Sequence, residues 1–466
     1  MSGASGVGSA RILAVIALVA LIDGIDGSIV NVALPSLADW FGTDAGTIAW
    51  VTVSYFLMMA GLLMLFARIA KNGAIRKVMV GGVAVFTAAS LACALSPSLE
   101  ALLAARTVQG VGAAMMGAAA PMACVRYLPE GKIGLGMGVI TLGCSTGFAV
   151  GPAVGGLMVD ALSWHWIFFI NLPLGAAITM MILGIVPRDG RYDRRRLDAP
   201  GAALLFAATA AGTYALERLP YPSEGPLVAA AAVACLACLA AFVRVELGRE
   251  EPLLNVRVFR HARFDAAFLA FMIVNMVYIG MLYLMPFYLE MRMGMDPSVS
   301  GMFLFIPPAV TLALCIPISK RSDRTGRRRY SVLSCLFLLA GAAAMALWAG
   351  DGSMWPLLAA LACMGLTWAF AGGPMASRIV ESTADESREI GSSLMNESVY
   401  LGITAGTALF AMLFTLGSGS GGAEIGGLSR DAFMDGFVFS MAFCAILAAL
   451  AALISHAMRD GPPASG

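Results

Sequence analysis

Residues 11–37 read RILAVIALVALIDGIDGSIVNVALPSL, and this stretch decides the fold class. At 1.5 Å per residue it is long enough to cross the roughly 30 Å hydrocarbon core of a membrane as a helix. It is too long for the apolar region of a signal peptide, it carries two acids, and no A-x-A cleavage pattern follows it. We therefore expect a transmembrane helix here rather than a cleaved leader.

The rest of the chain has the same character. Of its 466 residues, 59% are hydrophobic and only 13% are charged, with a net charge of +1 and a mean hydropathy of +0.83. Soluble domains are about 45–50% apolar and about 25% charged. The composition therefore excludes a soluble globular enzyme, a disordered chain and a nucleic-acid-binding protein. Long apolar runs also favour a helical membrane protein over a membrane β-barrel.

The cysteines and histidines give no sign of a metal site. The nine cysteines lie in apolar stretches, and the three histidines are scattered at predicted helix ends. One C-x-x-C pair, Cys235 and Cys238, has no flanking ligand, so it is interpreted as two small apolar residues. We expect no metal and no cofactor.

Apolar runs of about 20 residues, separated by charged or Gly/Pro-rich loops, predict an all-α protein with fourteen transmembrane helices. Basic residues orient them, because cytoplasmic loops are rich in Lys and Arg. With the N-terminus inside, 26 basic residues fall on the cytoplasmic side and 3 on the other, so both termini are predicted to be cytoplasmic. The predicted spans are 11–37, 46–67, 77–95, 99–125, 134–159, 165–187, 200–217, 225–246, 264–289, 298–319, 330–349, 354–376, 388–416 and 432–457.

An internal repeat groups these spans. The loop ARIAKNGAIRKV (67–78) after span 2 resembles SKRSDRTGRRR (319–329) after span 10, and each joins the second and third helices of a six-helix set once spans 7 and 8 are set aside. Two related bundles around a midplane site are typical of secondary transporters. The predicted layout is a six-helix bundle in 1–187, a linker with two extra helices in 188–262, and a second six-helix bundle in 263–466.

Span 1 places Asp23 and Asp26 three residues apart on one helix face, with Asn31 in a neighbouring stripe of small residues. A charged carboxylate near the bilayer centre costs about 2.5–3.5 kcal/mol, and it avoids that cost by taking up a proton. Asp26 is therefore the first candidate proton carrier, and Asp23, nearer the cytoplasmic half, is the second. Alternatively, these acids are hydrated or salt-bridged and only orient helices.

Span 4 places Arg106 inside an apolar segment, with Gln109 on the same face. A buried guanidinium remains charged, so it must find acceptors, and it stabilises the ionised form of a nearby acid. Arg106 is thus either a partner of the proton carrier or a structural group bonded to backbone carbonyls.

Span 5 contains GFAVGPAVGG (147–156), in which Gly147, Gly151 and Gly155 recur every four residues. These glycines leave a groove for a partner helix, and Pro152 removes a backbone donor and bends the helix. Together with Gly156 they predict a gate or seal, with plain helix packing as the alternative.

Two features of the second bundle are also candidates. Glu397 lies about nine residues into span 13 beside Asn396, far from any basic residue of that span, so it contacts substrate, carries a proton or pairs with another helix. The loop SDRTGRRR (322–329) holds one acid, Asp323, among four arginines. Asp323 either pairs with a helix end when the cytoplasmic side closes or belongs to a simple topogenic cluster.

Several of these strings together resemble the major facilitator superfamily, in its 14-spanner drug/proton antiporter branch. The matches run from span 1 to span 10: IDGSIVNVALP, AARTVQGVGAA, GPAVGG, WHWIFFINLPLG, EEPLLNVRVFR and SDRTGRRR. The resemblance implies two six-helix bundles around a central cavity and transport by alternating access. It implies proton coupling through Asp26 and Arg106, and contact of Glu397 with cationic drugs.

The chain departs from the family in two places. The loop after span 2 normally reads Gly-x-Leu-x-Asp-Arg-x-Gly-Arg, but here Lys71 stands at the Asp position and Ala74 at the second Gly. In related proteins this acid is thought to hold the cytoplasmic side closed with a helix N-terminus and an arginine, here Arg126. Lys71 therefore predicts a weakened latch, unless it only points into the cytoplasm. Span 13 also has Val399 near a position that is commonly basic.

The sequence thus predicts a monomeric, proton-coupled exporter of small hydrophobic or cationic compounds in the plasma membrane. Export of an endogenous metabolite, lipid or siderophore remains an alternative in the same fold, and an intramembrane sensor or enzyme is a remote one. A permanent channel is disfavoured by the paired halves. The candidate substrate contacts are Glu397, Asn31, Tyr55, Gln109, Asn275, Tyr278, Asn396 and Tyr400, and the candidate cytoplasmic gate is Lys71, Arg126, Asp323, Arg324, Gly326 and Arg327.

Overall fold

The computed structural model describes residues 8–129, 132–190, 199–249, 256–260, 262–381, 388–419, 424 and 427–458. Over these ranges the chain forms helices joined by short turns and contains no strand. The predicted all-α class is confirmed.

Twelve helical segments of the described chain are long and apolar enough to cross a membrane. One of them, the 50-residue segment Ala45–Ala94, contains two helices joined by a π-helical turn at Ala70–Ala74. Gly73 breaks the helix there with a φ of 106°, which favours glycine. The 20-residue helix Ala199–Arg218 is a separate element outside these twelve. Fourteen spans therefore remain the prediction from the sequence.

The helices of the first half of the chain are α1 (Ser9–Phe41), α2 (Ala45–Ile69), α3 (Ile75–Ala94), α4 (Leu99–Tyr127), α5 (Ile133–Ala161), α6 (Trp166–Phe169) and α7 (Asn171–Ile185). They pack on one another, with α1 against α5 and α4 against α2 and α3. The helix α1 is apolar on almost every side, as expected for a helix with neighbours around it. We refer to α1–α7 as the N-terminal half.

A central hairpin follows, formed by α8 (Ala199–Arg218) and α9 (Gly225–Leu247). The two helices pack on each other, and α8 also contacts α2. The outer face of α9 exposes large apolar side chains such as Val233 and Leu236, which are 67% and 68% exposed. Such a face is suited to lipid rather than water.

The helices of the second half are α10 (Ala262–Phe287), α11 (Pro297–Leu304), α12 (Ile306–Thr325), α13 (Arg328–Trp348), α14 (Met354–Ala371), α15 (Pro374–Glu381), α16 (Arg388–Ser418) and α17 (Arg430–Ala457). Here α13 packs against α14 and α17, and α10 packs against α16. We refer to α10–α17 as the C-terminal half. The two halves meet along two seams, α2 with α16 and α5 with α11 and α12, and α8 lies against both helices of the first seam.

Capping residues fix where several helices begin and end. Asp44 caps α2 by accepting a hydrogen bond from the Thr47 backbone N–H at 3.0 Å, and Ser98 caps α4 in the same way through Ala101. Gly42, with a φ of 60°, ends α1 in the left-handed conformation typical of helix C-termini. The α1–α2 turn so formed lies on the face that the sequence predicts to be external.

Candidate functional site

The centre of the N-terminal half is a buried network around Asp26, whose side chain is 0% exposed. One carboxylate oxygen, Oδ2, accepts a hydrogen bond from Arg106 Nη1 at 2.8 Å. The other, Oδ1, accepts from Gln109 Nε2 at 2.8 Å and from Asn171 Nδ2 at 2.9 Å. Three donors from α4 and α7 thus converge on one carboxylate of α1, and the bond from Arg106 is charge-assisted.

Arg106 is held on several sides. Its Nε donates to the Val51 carbonyl at 2.9 Å, and its Nη1 also donates to Gln109 Oε1 at 2.6 Å. The guanidinium carbon lies 4.3 Å from the centre of the Tyr55 ring and 5.8 Å from that of Phe168. Arg106 thus pairs with the acid Asp26 and also bonds a backbone carbonyl.

Residues of α3 complete the network. Ser90 Oγ accepts hydrogen bonds from Gln109 Nε2 at 2.9 Å and Asn171 Nδ2 at 3.3 Å, and it donates to the Phe86 carbonyl at 2.8 Å. Cys93 Sγ lies 3.6 Å from Gln109 Oε1 as a weak donor. The network therefore joins α1, α3, α4 and α7 in a setting that excludes water.

Asp23 lies one helical turn from Asp26 and is only partly buried. Its Oδ1 accepts a hydrogen bond from the Tyr55 hydroxyl at 3.1 Å. Because the Tyr55 ring also faces Arg106, Asp23 is linked to the buried network through one aromatic side chain. The structure thus brings five sequence candidates together: Asp23, Asp26, Tyr55, Arg106 and Gln109.

Ser90 and Asn171 of this network are absent from the sequence candidates. Ser90 is a hydroxyl residue in an apolar helix, where such side chains commonly bond the carbonyl four residues back. Asn171 stands in the string WHWIFFINLPLG, but its uncharged amide at the start of α7 gives no indication of a partner on α1. Among the candidate substrate contacts of the N-terminal half, Asn31 lies outside this network and accepts a hydrogen bond from Thr52 Oγ1 at 3.4 Å.

The C-terminal half places its described candidates differently. Asn275 donates to the Phe271 carbonyl of its own helix at 2.8 Å. Tyr278 stacks on Trp368 with ring centres 5.6 Å apart, and Phe271 stacks on the same indole at 6.2 Å. Tyr400 is partly buried on α16. The side chains of Asn396 and Glu397 lie outside the described residues.

The glycine string of α5 forms a groove that receives α1. A Cβ atom added at Gly147 would lie 2.5 Å from the Leu21 carbonyl oxygen, and one added at Gly155 would lie 2.6 Å from Ile29. Ser28 Oγ donates across this contact to the Gly147 carbonyl at 3.3 Å. The groove thus positions the helix that carries Asp26.

The end of the same string contacts the C-terminal half. A Cβ atom added at Gly156 would overlap the Pro297 carbonyl, and one added at Gly301 would overlap the Pro152 carbonyl. Each helix therefore contributes a proline carbonyl and, four residues later, a glycine. This reciprocal contact lies at the predicted external ends of α5 and α11.

Other contacts join the halves at the same face. The Tyr283 hydroxyl of α10 donates to the Ala45 carbonyl at the start of α2. Asp44, beside it, accepts from the Tyr221 hydroxyl of the α8–α9 turn at 2.6 Å. Burial raises the pKa of Tyr221, and its hydrogen bond to Asp44 acts in the same direction, so its hydroxyl remains a donor. The predicted external face is thus fastened by contacts from both halves and from the hairpin.

The predicted cytoplasmic gate is only partly described. Lys71 and Arg126 are both exposed, Gly326 ends α12 with a φ of 91°, and Arg327 precedes α13. Arg324 is exposed near the end of α12. The side chain of Asp323 lies outside the described residues.

A different acid, missed by the sequence reading, caps a helix at this face. The carboxylate of Asp189 accepts hydrogen bonds from the backbone N–H groups of Arg76 and Lys77 at 2.8 and 2.9 Å. Arg76 also donates to the Leu183 carbonyl of α7 at 2.7 Å. The Asp189 carboxylate, which follows α7, thus neutralises the partial positive charge that the helix dipole places at the N-terminus of α3.

Residues 16–407 match the sequence profile of the Major Facilitator Superfamily, and the chain belongs to that family. It is a multi-pass membrane transporter, not an enzyme.

Its relatives carry names from drug resistance. It is 30% identical to the multidrug resistance protein Stp of Mycobacterium tuberculosis, over 82% of this chain and 71% of that protein. It is 29% identical to the methylenomycin A resistance protein of Streptomyces coelicolor, over 83% and 82% of the two chains.

Solved structures share the fold. A bacterial homologue of the human lysosomal transporter Spinster superposes with a TM-score of 0.68 at 14% identity, covering 96% of both chains. The D-xylose–proton symporter superposes with a TM-score of 0.64 at 13% identity, covering 96% of this chain and 97% of its own.

Proposed function

We propose that this transporter is a proton-coupled exporter of small hydrophobic or cationic compounds that works by alternating access. The observation that carries the proposal is the buried pair of Asp26 and Arg106 within the N-terminal half. Buried charges are costly unless they are paired, so a carboxylate kept at the centre of a transport protein is a candidate for a proton site. The drug-resistance names of the relatives support the substrate class.

The mechanism follows from what a proton does to this pair. Ionised Asp26 holds α1 to α4 through Arg106 and Gln109. A proton on Asp26 removes its charge and weakens the charge-assisted bonds, so the packing of α1 against α4 changes. Asp23, joined to Arg106 through Tyr55, lies nearer the predicted cytoplasmic side and serves as the second acid in the path.

The substrate site is proposed in the space between the halves. Asn31, Tyr55 and Gln109 contribute from the N-terminal half, and Asn275, Asn396, Glu397 and Tyr400 contribute from the other. Tyr278 stacked on Trp368 supports this assignment, because aromatic faces bind flat apolar groups and cations. Glu397 would supply the charge for cationic compounds.

The glycine string of α5 is proposed as the external seal. Its reciprocal contact with α11, formed by Gly156 and Gly301, supports this role because no side chain separates the two backbones. The Tyr283–Ala45 bond lies at the same face and supports an inward-facing arrangement. Lys71, at a position that is acidic in the family, would favour that arrangement by weakening the cytoplasmic latch with Arg126. In the C-terminal half, Asp323, Arg324, Gly326 and Arg327 would form the latch that remains.

The topology is proposed to have fourteen spans with cytoplasmic termini in the plasma membrane. The division of Ala45–Ala94 into two helices and the separate helix α8 support this count. The proposed parts are bundles in 1–187 and 263–466 with the hairpin linker in 188–262, working as a monomer without a cofactor.

Proteoliposomes with an imposed pH gradient test the proposal. The purified protein is reconstituted into liposomes, and cationic, neutral and anionic compounds are added one at a time. Accumulation of each compound inside the liposomes is followed with and without a protonophore. Accumulation of cationic or neutral hydrophobic compounds that collapses with the gradient is expected. Equal fluxes with and without the gradient would contradict proton coupling, and preference for anionic metabolites would contradict the substrate class.

A further inference from the structure

Asn171 has one oxygen that the buried network does not use. The residue is 0% exposed, and its Oδ1 is buried without a hydrogen-bond partner among the described residues. Its Nδ2, by contrast, donates to Asp26 Oδ1 at 2.9 Å and to Ser90 Oγ at 3.3 Å. A buried acceptor without a donor costs free energy, so its retention beside Asp26 calls for a function.

The neighbouring amide, Gln109, is fixed at both ends. Its Nε2 donates to Asp26 and to Ser90, while its Oε1 accepts from Arg106 Nη1 at 2.6 Å and from Cys93 Sγ at 3.6 Å. Turning this amide over would place its N–H groups against the guanidinium. Gln109 can therefore act only as a donor toward Asp26.

Protonated Asp26 needs a hydrogen-bond acceptor, and only one of the two amides can supply it. Its Oδ2 faces the positive Arg106, so the proton resides on Oδ1. That oxygen then becomes a donor and needs an acceptor. A half-turn of the Asn171 amide about its last side-chain bond presents Oδ1 to the new O–H. The turn gives up the long bond from Nδ2 to Ser90 Oγ at 3.3 Å, but no bond to the present Oδ1 has to break.

The other groups facing Asp26 already use their protons elsewhere. The Tyr55 hydroxyl of α2 donates to Asp23, the Ser90 hydroxyl of α3 donates to the Phe86 carbonyl, and the Cys93 thiol points to Gln109. Cys144 of α5 lies against Gly24, two residues before Asp26. The charged partner is Arg106 of α4, which bonds the opposite carboxylate oxygen.

We propose that Asn171 is a positioning residue whose side-chain amide follows the proton on Asp26, donating to the ionised carboxylate and accepting from the protonated acid. This inference rests on the proposed role of Asp26 as the proton carrier. It gives the site two hydrogen-bonded states instead of one, because each protonation state of Asp26 has its own orientation of Asn171. Both states are thereby hydrogen-bonded at a site that is buried from solvent.

Infrared difference spectroscopy of the purified, lipid-reconstituted protein tests this role. Spectra are recorded across a pH titration, and the carboxyl C=O band of protonated Asp26 is isolated by subtracting the Asp26→Asn spectra. A carboxyl whose O–H donates a hydrogen bond absorbs at lower wavenumber than one whose O–H is free. In Asn171→Leu, which replaces the amide oxygen and nitrogen with methyl groups on a side chain of the same branching, the band should move to higher wavenumber. In the matched control Gln109→Leu, the carboxyl band should keep the wavenumber that it has in the wild-type protein.

An unchanged band in Asn171→Leu, or an equal shift in both variants, would overturn the proposal. If Asn171→Leu does not fold, Asn171→Val is a smaller apolar replacement with the same expected shift and the same contradicting result. The proposed function fails separately. If Asp26→Asn still drives uptake from a pH gradient, Asp26 is not the carrier, whatever the band does in the Asn171 variants.

Discussion

The two halves of the molecule bury different kinds of polar group. The N-terminal half encloses a full charge pair, Asp26 with Arg106, whose bonds cross between helices. In the C-terminal half, Asn275 and Thr407 bond carbonyls of their own helix, and Thr311 and Ser334 bond carbonyls of α14 through neutral hydroxyls. A proton changes the charge of a carboxylate, whereas it leaves bonds between neutral amides, hydroxyls and carbonyls as they are. The contrast teaches that a change of charge can be converted into motion in the first half, while the second half offers the Tyr278–Trp368 stack.

Removal of the acid should have the largest effect. Asp26→Asn keeps the size of the side chain and an oxygen for Arg106 but cannot release or bind a proton in the same way. We expect proton-driven accumulation in proteoliposomes to fall to the level of empty vesicles, while substrate binding persists. Asp39→Asn is the control, because Asp39 is an exposed acid of the same helix. Retained accumulation in Asp26→Asn would move the carrier function to Asp23, outside the buried pair on which the contrast between the halves rests.

Replacement of the basic partner, Arg106, tests whether the buried ion pair stabilises the fold. Arg106→Met leaves Asp26 buried without its charged partner, and loss of one member of a buried pair costs about 3–5 kcal/mol. We expect a marked fall in the thermal midpoint of the detergent-solubilised protein. The double variant Asp26→Asn with Arg106→Met should recover much of this loss. Equal midpoints for the unchanged protein and Arg106→Met would mean that water reaches the pair.

The corresponding test of the C-terminal half is Glu397→Gln. If Glu397 contacts cationic substrates, loss of a charge-assisted hydrogen bond should cost about 1.5–3 kcal/mol, or roughly 10- to 100-fold in Kd. Binding of neutral compounds should change little. Glu424→Gln, at an exposed acid, is the matched control. Equal losses for cationic and neutral compounds would assign Glu397 to structure or to the proton instead.

A smaller effect is expected where the halves touch. Gly156→Ala would push a methyl group against the Pro297 carbonyl, and overpacking typically costs about 1–3 kcal/mol. Because this contact exists when the external face is closed, cysteine labelling from the external side should increase. The same change at Gly138 of α5, where a Cβ meets nothing within 4 Å, should leave labelling unaltered. Equal labelling of both variants would show that the contact does not resist opening.

The smallest effect is expected at the exposed Lys71. Lys71→Asp would restore an acid where the family has one, and a favourable charge at a helix end is worth about 0.3–1 kcal/mol. We expect cavity cysteines to be labelled less from the cytoplasmic side and more from outside. Lys71→Gln only removes the positive charge. It therefore distinguishes the effect of adding an acid from the effect of losing the lysine. If labelling is the same in all three proteins, the loop of the N-terminal half is not a latch.

The sequence predicted the charged part of the site because a charge in an apolar span has few explanations. Asp26 and Arg106 stand out in this way, and the structure brings them together. Neutral side chains carry no such signal. Asn171 contacts Asp26, which lies 145 residues earlier, while Asn275 bonds a carbonyl four residues away. Both are single asparagines in apolar segments, and only the packing of the helices distinguishes them.

The capping acid of α3 escaped prediction for a related reason. Asp189 bonds backbone N–H groups, which every residue except proline possesses, so no pattern of side chains marks its partners. The glycine string was easier to interpret, because repeated glycines directly indicate close approach of another helix. Its partners, α1 along most of its length and α11 at its end, became clear only from the fold.

The position of α8 has a consequence for compounds dissolved in the bilayer. Because α8 lies against both α2 and α16, one of the two seams between the halves faces protein instead of hydrocarbon. The other seam, formed by α5 with α11 and α12, lies elsewhere on the molecule. Among the helix pairs of the described chain that contact each other extensively, none joins this seam to the hairpin. A lipophilic molecule that diffuses within the membrane would therefore meet two unequal sides, one of them covered by the hairpin and one not.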